Sequence, residues 1–293
     1  MAKKLNETLK TIENYKTVNP HYGDLLDILE EILIRREAYK KVERPAVFTV
    51  DEAHIEQKLK GGLPLVDLAE GKFDLTGPKE YFLELLSIAE KRMPGETDEL
   101  VQNLKDGTVL FEDMIRDVVS GADTEEDQDD ADQEVEAAAE EALDEAEREE
   151  TLDLIELFLE ESLRPDLEII AEKYGEIVAR SDWSEGYCPI CGREPKIGEL
   201  KEEEGRRYLF CHQCGYEWSF VRIKCPFCGN EEQQTLAFFT VEGDERYRVD
   251  VCNECKRYIK IIDFRETKQE ANLDVEDIAT LHLDMLAYEE GYN

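Results

Sequence analysis

The chain has 293 residues, a formal net charge of −37 at pH 7 and a mean hydropathy of −0.55. Nucleic-acid binding depends on a concentrated positive field, so this overall charge disfavours that class of function. No apolar run approaches the roughly 18 residues of a membrane-spanning helix, and the basic N-terminal segment MAKKLNETLKTIENYK lacks the apolar stretch of a secretory signal. We therefore expect a cytoplasmic protein that does not act in a membrane.

Residues 1–182 contain no cysteine and carry apolar side chains at helical spacing, which predicts an α-helical domain with its own core. In the segment DLLDILEEILIRREAYKK these side chains belong to Leu25, Ile28, Leu29, Ile32 and Leu33. Further helices are predicted at GPKEYFLELLSIAEKR, VLFEDMIRDVV, TLDLIELFLEESL and PDLEIIAEKYGEIVAR. Pro78 is expected near the first turn of one helix, and Pro165 is expected at the start of another.

An acidic insert at residues 120–140 interrupts this helical pattern. From Gly121 to Glu150 the chain has 16 acidic residues and one basic residue, Arg148. Charge repulsion and scarce apolar residues predict that the insert is partly disordered, and a partner-binding tail is the alternative. From Val135 onward, alanine and glutamate favour a helix that continues into the one predicted at TLDLIELFLEESL.

All eight cysteines lie between residues 188 and 255, in four C-x-x-C pairs. The pairs are Cys188 with Cys191, Cys211 with Cys214, Cys225 with Cys228, and Cys252 with Cys255. A thioredoxin-like redox motif would use one pair and leave three unexplained, and disulfides need an oxidising compartment. Four pairs in a cytosolic chain predict two metal ions per chain, each held by four thiolates.

The spacing of the pairs favours two consecutive metal sites. There are 19 residues between Cys191 and Cys211 and 23 between Cys228 and Cys252, close to the usual spacing of zinc ribbons. The expected ligand sets are Cys188, Cys191, Cys211 and Cys214, and Cys225, Cys228, Cys252 and Cys255. An exchanged or nested pairing is the alternative. Four-thiolate coordination fits zinc or a single iron and leaves no open position for a substrate, so we expect structural sites.

Between the cysteine pairs the sequence has strand character. The segments RRYLFC, YEWSFVRIKC, LAFFTVEG, RYRVDVC and RYIKIIDF are rich in aromatic and β-branched residues. They predict two small antiparallel ribbons at 183–220 and 221–268, which depend on metal because their apolar cores are small. The fold class is therefore α+β, with the α-helical domain followed by two ribbons and a C-terminal helix at 269–293. In that helix a buried face is expected at Ile278, Leu281, Met285 and Tyr288.

Three of the C-x-x-C turns are followed by glycine, at Gly192, Gly215 and Gly229. Glycine suits the positive φ that such turns commonly need. Lys256 follows the fourth pair, so this turn departs from the pattern. His212 lies inside a turn whose site already has four thiolates, so we expect it to be a surface residue rather than a ligand.

The cysteine-rich half resembles a known family. DWSEGYCPICGREP, RRYLFCHQCGYEWSFVRIKCPFCGN and VDVCNECKRYIKIIDF are similar to the corresponding part of the formate dehydrogenase accessory protein family, FdhE, and VEDIATLHLDMLAYEEGY resembles its closing helix. The resemblance implies two rubredoxin-like metal sites on the eight cysteines and no catalytic residue. It also implies a cytoplasmic assembly factor that binds the catalytic subunit of a metal-dependent formate dehydrogenase for its maturation or activity.

Two other functions remain as alternatives to this non-enzymatic accessory role. A nucleic-acid-binding zinc ribbon would use the basic and aromatic residues of the strands, although the ribbon region is nearly neutral. A rubredoxin-like electron carrier would need iron at both sites. For a protein partner, exposed strand edges and aromatic–arginine clusters make the ribbons the expected contact surface. The candidate contacts are Tyr216, Trp218, Arg222 and Arg257.

Overall fold

The computed structural model describes residues 2–69, 73–120, 137–241, 244–267 and 270–293. Its helices are α1 (Ala2–Val18), α2 (Gly23–Tyr39), α3 (Ile55–Lys60), α4 (Thr76–Arg92), α5 (Asp98–Asp106), α6 (Phe111–Ser120), α7 (Ala137–Ala179), α8 (Leu273–Ala279) and α9 (Leu281–Glu289). Its strands are β1 (Ile197–Lys201), β2 (Arg206–Phe210), β3 (Glu217–Phe220), β4 (Leu236–Val241), β5 (Asp244–Cys252) and β6 (Tyr258–Ile262). The predicted α+β class is confirmed. Within the described ranges, every helix is too short or too polar to traverse a lipid bilayer.

The chain divides into two compact units. The first unit comprises Met1–Lys41, Phe48–Asp67 and Pro165–Asn293, and the second comprises Val42–Val47 and Leu68–Arg164. The division into four segments that the sequence suggested stays a prediction.

The second unit is built from α4, α5, α6 and the N-terminal part of α7. As predicted, Pro78 lies in the first turn of α4, where its missing amide hydrogen costs little. The core includes Phe82 and Phe111, whose ring centroids are 5.4 Å apart. The buried Tyr81 hydroxyl donates to a Glu161 carboxylate oxygen at 3.1 Å, which satisfies two polar groups inside this core.

Helix α7 differs from the sequence prediction at one position. The expected helix from the alanine- and glutamate-rich segment is confirmed, because α7 starts at Ala137 and runs without interruption to Ala179. The prediction that Pro165 starts a separate helix is wrong, because Pro165 lies inside α7. Residues 161–167 are all buried, so tertiary packing holds the helix despite the lost hydrogen bond. The predicted partly disordered insert falls mostly on residues 121–136, outside the described residues.

In the first unit, α1 and α2 pack together around Ile12, Leu26 and Leu33. Val275 of α8 joins the same buried cluster. The predicted apolar face of α2 is confirmed for four of its five residues, whereas Leu25 is exposed.

The two ribbons form one six-stranded sheet with the order β3-β2-β1-β6-β5-β4. Neighbouring strands are antiparallel except β1 and β6, which pair in parallel with Ile197 opposite Lys260. Strand β1 was not predicted from the sequence. Its Gly198 lies so close to β2 that a Cβ atom there would be 2.5 Å from the Tyr208 carbonyl oxygen, which explains a glycine in mid-strand.

One face of this sheet packs against the C-terminal helices. Val249 and Ile262 are fully buried there with Leu283 and Ala287 of α9. The predicted buried face of a single C-terminal helix is wrong, because Met285 and Tyr288 are exposed. The helix is interrupted at Thr280, whose backbone is not helical and whose hydroxyl donates to the Glu276 carbonyl at 2.6 Å. Side-chain hydrogen bonds of this kind compete with the backbone hydrogen bonds of a helix. The helix is therefore broken at Thr280, and the apolar face of α8 does not continue in register along α9.

Candidate metal centres

The eight cysteines meet in two groups of four. The first cluster contains Cys188, Cys191, Cys211 and Cys214, and the second cluster contains Cys225, Cys228, Cys252 and Cys255. Within each cluster, all sulfur atoms lie within 4.8 Å of one another. The grouping is that of two consecutive sets rather than an exchanged or nested one.

All four C-x-x-C turns have the same backbone geometry. In each turn the amide of the residue after the second cysteine donates to the carbonyl of the first cysteine, at 2.8 to 3.1 Å. The amide of the first cysteine donates in turn to the carbonyl five residues further on. Three of these turns use a glycine with φ between 67° and 79°. The repeated geometry fixes two sulfur atoms per turn on the same side of the loop.

Lys256 adopts the same left-handed conformation as the glycines. Its φ is 60°, and its amide donates to the Cys252 carbonyl at 2.9 Å. The fourth turn therefore differs from the pattern in sequence but not in shape. A residue with a Cβ atom is strained in this region by about 1–2 kcal/mol.

The sulfur positions fit a tetrahedral metal ion. A metal–sulfur distance of about 2.3 Å places the sulfurs of a regular tetrahedron about 3.8 Å apart. Cys188 lies 3.4 Å from Cys214 and Cys191 lies 3.4 Å from Cys211, and in the second cluster the pairs Cys225 with Cys255 and Cys228 with Cys252 are 3.7 Å apart. These separations are far longer than the roughly 2.05 Å of a disulfide. The donor set suits zinc or a single iron, and that the cysteines bind metal stays a prediction.

Hydrogen bonds prepare part of each cluster for the thiolate form. Burial raises the pKa of Cys188 and Cys214, and burial also acts to raise the pKa of Cys211, but hydrogen bonds from the other three thiols lower it well below its usual value. In the second cluster burial again opposes ionisation, yet backbone amides and the Asn230 side chain lower the pKa of Cys252 to about 7. Asn230, whose Nδ2 lies 3.5 Å from the Cys252 sulfur, was not singled out in the sequence, since only the folded loop brings it to the cluster.

Two family models match consecutive parts of the chain. FdhE, central domain, matches residues 187–222, and FdhE, C-terminal domain, matches residues 223–293. A relative named Protein FdhE homolog from Aquifex aeolicus is 28% identical over 287 residues, which is 97% of this chain and 90% of its own. Residues 187–293 thus match FdhE family domains.

Further comparisons also find FdhE proteins. A Protein FdhE homolog from Pseudomonas aeruginosa is 38% identical over 114 residues, which is 36% of each chain. Protein FdhE from Salmonella arizonae is 32% identical over 119 residues, or 39% of this chain and 38% of its own. The crystal structure of the FdhE protein from Pseudomonas aeruginosa matches with a TM-score of 0.65 at 20% identity, covering 97% of this chain and 90% of that chain. The last comparison shows that the FdhE fold is shared.

The two clusters differ in exposure. All four cysteines of the first cluster are buried. In the second cluster Cys225 and Cys252 are buried, Cys255 is half-buried and Cys228 is exposed. His212, half-buried beside the first cluster, is not one of the side chains that meet there. Solvent therefore reaches the second cluster but not the first.

The structure separates the four residues suggested as partner contacts. Trp218 is buried, and its indole donates to the Glu185 carbonyl at 3.3 Å, so it is a packing residue and that suggestion is wrong. The half-buried Tyr216 donates its hydroxyl to the Gly175 carbonyl at 3.0 Å. Arg222 is exposed, and Arg257 is half-buried. Arg222 remains available for a partner, whereas Arg257 is paired with Glu194 and the two aromatic residues have structural roles.

Proposed function

We propose that this chain is a cytoplasmic accessory protein that binds the catalytic subunit of a metal-dependent formate dehydrogenase and is needed for its maturation or activity. The observation that carries the proposal is the FdhE family match, which extends over nearly the whole chain in the relative from Aquifex aeolicus. It acts by binding rather than by catalysis.

The clusters support a binding role through their chemistry. Four cysteines per ion would complete a tetrahedral coordination shell, so a bound zinc or iron ion would stabilise the surrounding loops. The first cluster would fix the loop that precedes β1 and the loop between β2 and β3, and the second would fix the loops that precede β4 and follow β5. The ions would thereby hold the sheet surfaces in a shape suited to a protein partner.

Deletion of the gene in its host tests the proposal. Formate-dependent dye reduction should be lost while the formate dehydrogenase subunits are still synthesised, and a plasmid copy of the gene should restore activity. A copy carrying Tyr288→Ser serves as a matched control, because this side chain is exposed and is not part of either cluster. Unchanged dye reduction in a strain with no second copy of the gene would contradict the proposal.

The electron-carrier alternative makes a different prediction. Purified protein would show visible absorption and a reversible redox potential, and removing one cysteine of the second cluster would abolish both signals from that site. For the accessory role, a redox-inactive protein loaded with zinc at both clusters should still bind the catalytic subunit. Binding of the subunit by the zinc form therefore separates the two functions.

A further inference from the structure

A cavity of about 270 Å³ lies beside the second cluster, on the face of the sheet opposite α8 and α9. Strands β4, β5 and β6 form its floor through Phe238, Asp250 and Ile259, which lie side by side in the strand register. Residues 222–227, which precede the third C-x-x-C turn and enter it, line the cavity as well. We call this space the docking cavity.

The rim of the docking cavity is apolar and exposed. Phe238 on β4 is 61% exposed and Ile223 is 49% exposed, and both line the cavity. Among the described residues, β4 pairs only with β5, so its outer edge is open. The strand sequence LAFFTV has neither the charge nor the proline with which proteins usually protect such an edge. An open apolar edge beside a pocket is typical of a surface that binds another chain.

Five basic residues line the same cavity, but four of them have partners within the chain. Arg207 and Arg248 share the carboxylate of Asp250, at 3.4 and 2.9 Å. Lys224 pairs with the exposed Glu231 at 3.3 Å, and Arg257 pairs with Glu194 while lying over the Phe227 ring. Because of these ion pairs and the nearby thiolate cluster, the paired basic residues give the cavity directional N–H donors rather than a strong net positive field.

Arg222 is the cation that is left over. It is exposed, it lines the docking cavity next to Ile223, and it has no acceptor partner among the described residues. A guanidinium beside an apolar rim is suited to a carboxylate on a segment that is otherwise hydrophobic. A second cation, Lys224, lies two residues away, and its ion-pair partner among the described residues is the solvent-exposed Glu231.

We propose that the docking cavity binds an extended segment of a partner protein, with one large hydrophobic side chain between Ile223 and Phe238 and an adjacent carboxylate on Arg222 and Lys224. The segment adds to the open edge of β4 through its main chain. The size of the cavity supports a single side chain, since sites for drug-sized molecules usually measure about 300–1,000 Å³. The surface itself follows from the geometry, and only its assignment to a formate dehydrogenase subunit rests on the proposed function.

Selection from a library of short random peptides, with the metal-loaded full-length chain as bait, tests the surface without assuming a partner. Enriched peptides should carry a hydrophobic residue next to Asp or Glu. Phe238→Ser and Arg222→Glu should each weaken their binding by at least about tenfold. The matched controls Tyr288→Ser and Arg206→Glu, at exposed positions that do not line the cavity, should change it by less than about twofold. With Arg222→Glu as bait, the selection should shift to peptides with Lys or Arg.

Three outcomes would overturn the inference. Enriched peptides could lack an acidic residue, or they could bind Phe238→Ser and Arg222→Glu as tightly as the unmodified chain. Sedimentation could instead show concentration-dependent dimers that Phe238→Ser abolishes, which would make a second copy of this chain the occupant. Thermal unfolding of each variant, followed by circular dichroism, checks that these exposed substitutions leave the fold intact.

Co-purification with the formate dehydrogenase catalytic subunit separates this inference from the proposed function. If the unmodified chain and both cavity variants capture the subunit equally, the docking cavity is the wrong surface and the proposed function stands. If the unmodified chain does not capture the subunit, the proposed function fails, and the peptide selection alone decides whether the cavity binds acidic segments. If only the cavity variants fail to capture it, both proposals are supported.

Discussion

Replacing Lys256 by glycine should stabilise the turn that holds half of the second cluster. Lys256 has a φ of 60°, where a residue with a Cβ atom is strained by about 1–2 kcal/mol. Glycine removes this strain but adds about 0.5–1 kcal/mol of conformational entropy to the unfolded chain. The net backbone gain is therefore about 0.5–1 kcal/mol in the free energy of unfolding.

The Lys256 side chain has to be accounted for separately. Its ammonium lies 5.6 Å from the centre of the Tyr292 ring and 3.4 Å from the Asn253 side-chain oxygen, and such exposed contacts contribute at most about 0.5–1 kcal/mol. Lys256→Ala removes these contacts and keeps the backbone strain. The quantity to compare is thus the stability of Lys256→Gly relative to Lys256→Ala, which should be about 0.5–1 kcal/mol higher.

The reciprocal exchange lies in the same cluster. Gly229 has a φ of 74°, and an added Cβ atom would meet nothing closer than the Lys224 Cε atom at 3.9 Å. Gly229→Ala therefore introduces strain without a clash, and it should destabilise the protein by about 0.5–1 kcal/mol. Urea unfolding with zinc fixed in excess, in a reducing buffer, measures both effects, and chelator competition reports them as metal affinity. Equal stability of Lys256→Gly and Lys256→Ala would refute the assignment of strain to Lys256.

Three further predictions concern the clusters and one buried carboxylate. Elemental analysis should find two metal ions per chain, and Cys188→Ser and Cys225→Ser should each lose about one; a single ion in the unmodified protein would contradict the two-site assignment. A chelator should remove metal from the second cluster first, because Cys228 is exposed. Cys188→Ser leaves the second cluster intact and Cys225→Ser leaves the first, so slower metal loss from Cys188→Ser than from Cys225→Ser would contradict this order. Burial and the neighbouring Glu217 raise the pKa of Glu199 to about 7, above its value in the unfolded chain, so the stability that protonated Glu199 contributes is lost as pH rises through 7. The free energy of unfolding of Glu199→Gln, relative to that of the unmodified protein, should therefore rise by about 1–2 kcal/mol from pH 5 to pH 8. Urea unfolding at both pH values measures this difference, and a pH-independent difference would exclude the titration.

The cysteine clusters could be predicted because the C-x-x-C spacing is a local signal in the sequence. A C-x-x-C turn followed by glycine specifies its own backbone geometry, and the structure repeats that geometry at Gly192, Gly215 and Gly229. Five of the six strands were predicted for a similar reason, since aromatic and β-branched residues favour a pleated surface. Local signals of this type do not depend on the rest of the fold.

The features that were missed depend on distant parts of the chain. Gly198 weakens the strand signal of β1, and the close approach of β2 that requires this glycine is not visible in the sequence. Pro165 signals a helix start, but the buried turns on either side of it keep α7 continuous. The exposure of Met285 follows from a helix break at Thr280 that apolar periodicity does not detect. In each case tertiary packing overrides a local preference.

The parallel pairing of β1 with β6 has a consequence for how the chain folds as the ribosome makes it. Ile197 finds its partner Lys260 about 60 residues later, and contacts of such high contact order form slowly. In the same compact unit, Tyr15 of α1 donates its hydroxyl to Glu276 at 2.7 Å. This contact of one of the first helices to be synthesised can form only after one of the last helices has been made. The cysteines of the first cluster are all present before β6 has been made, so that cluster can take up its ion while the edge of β1 is still open. Closure of the sheet by β6 can then follow metal binding at the first cluster.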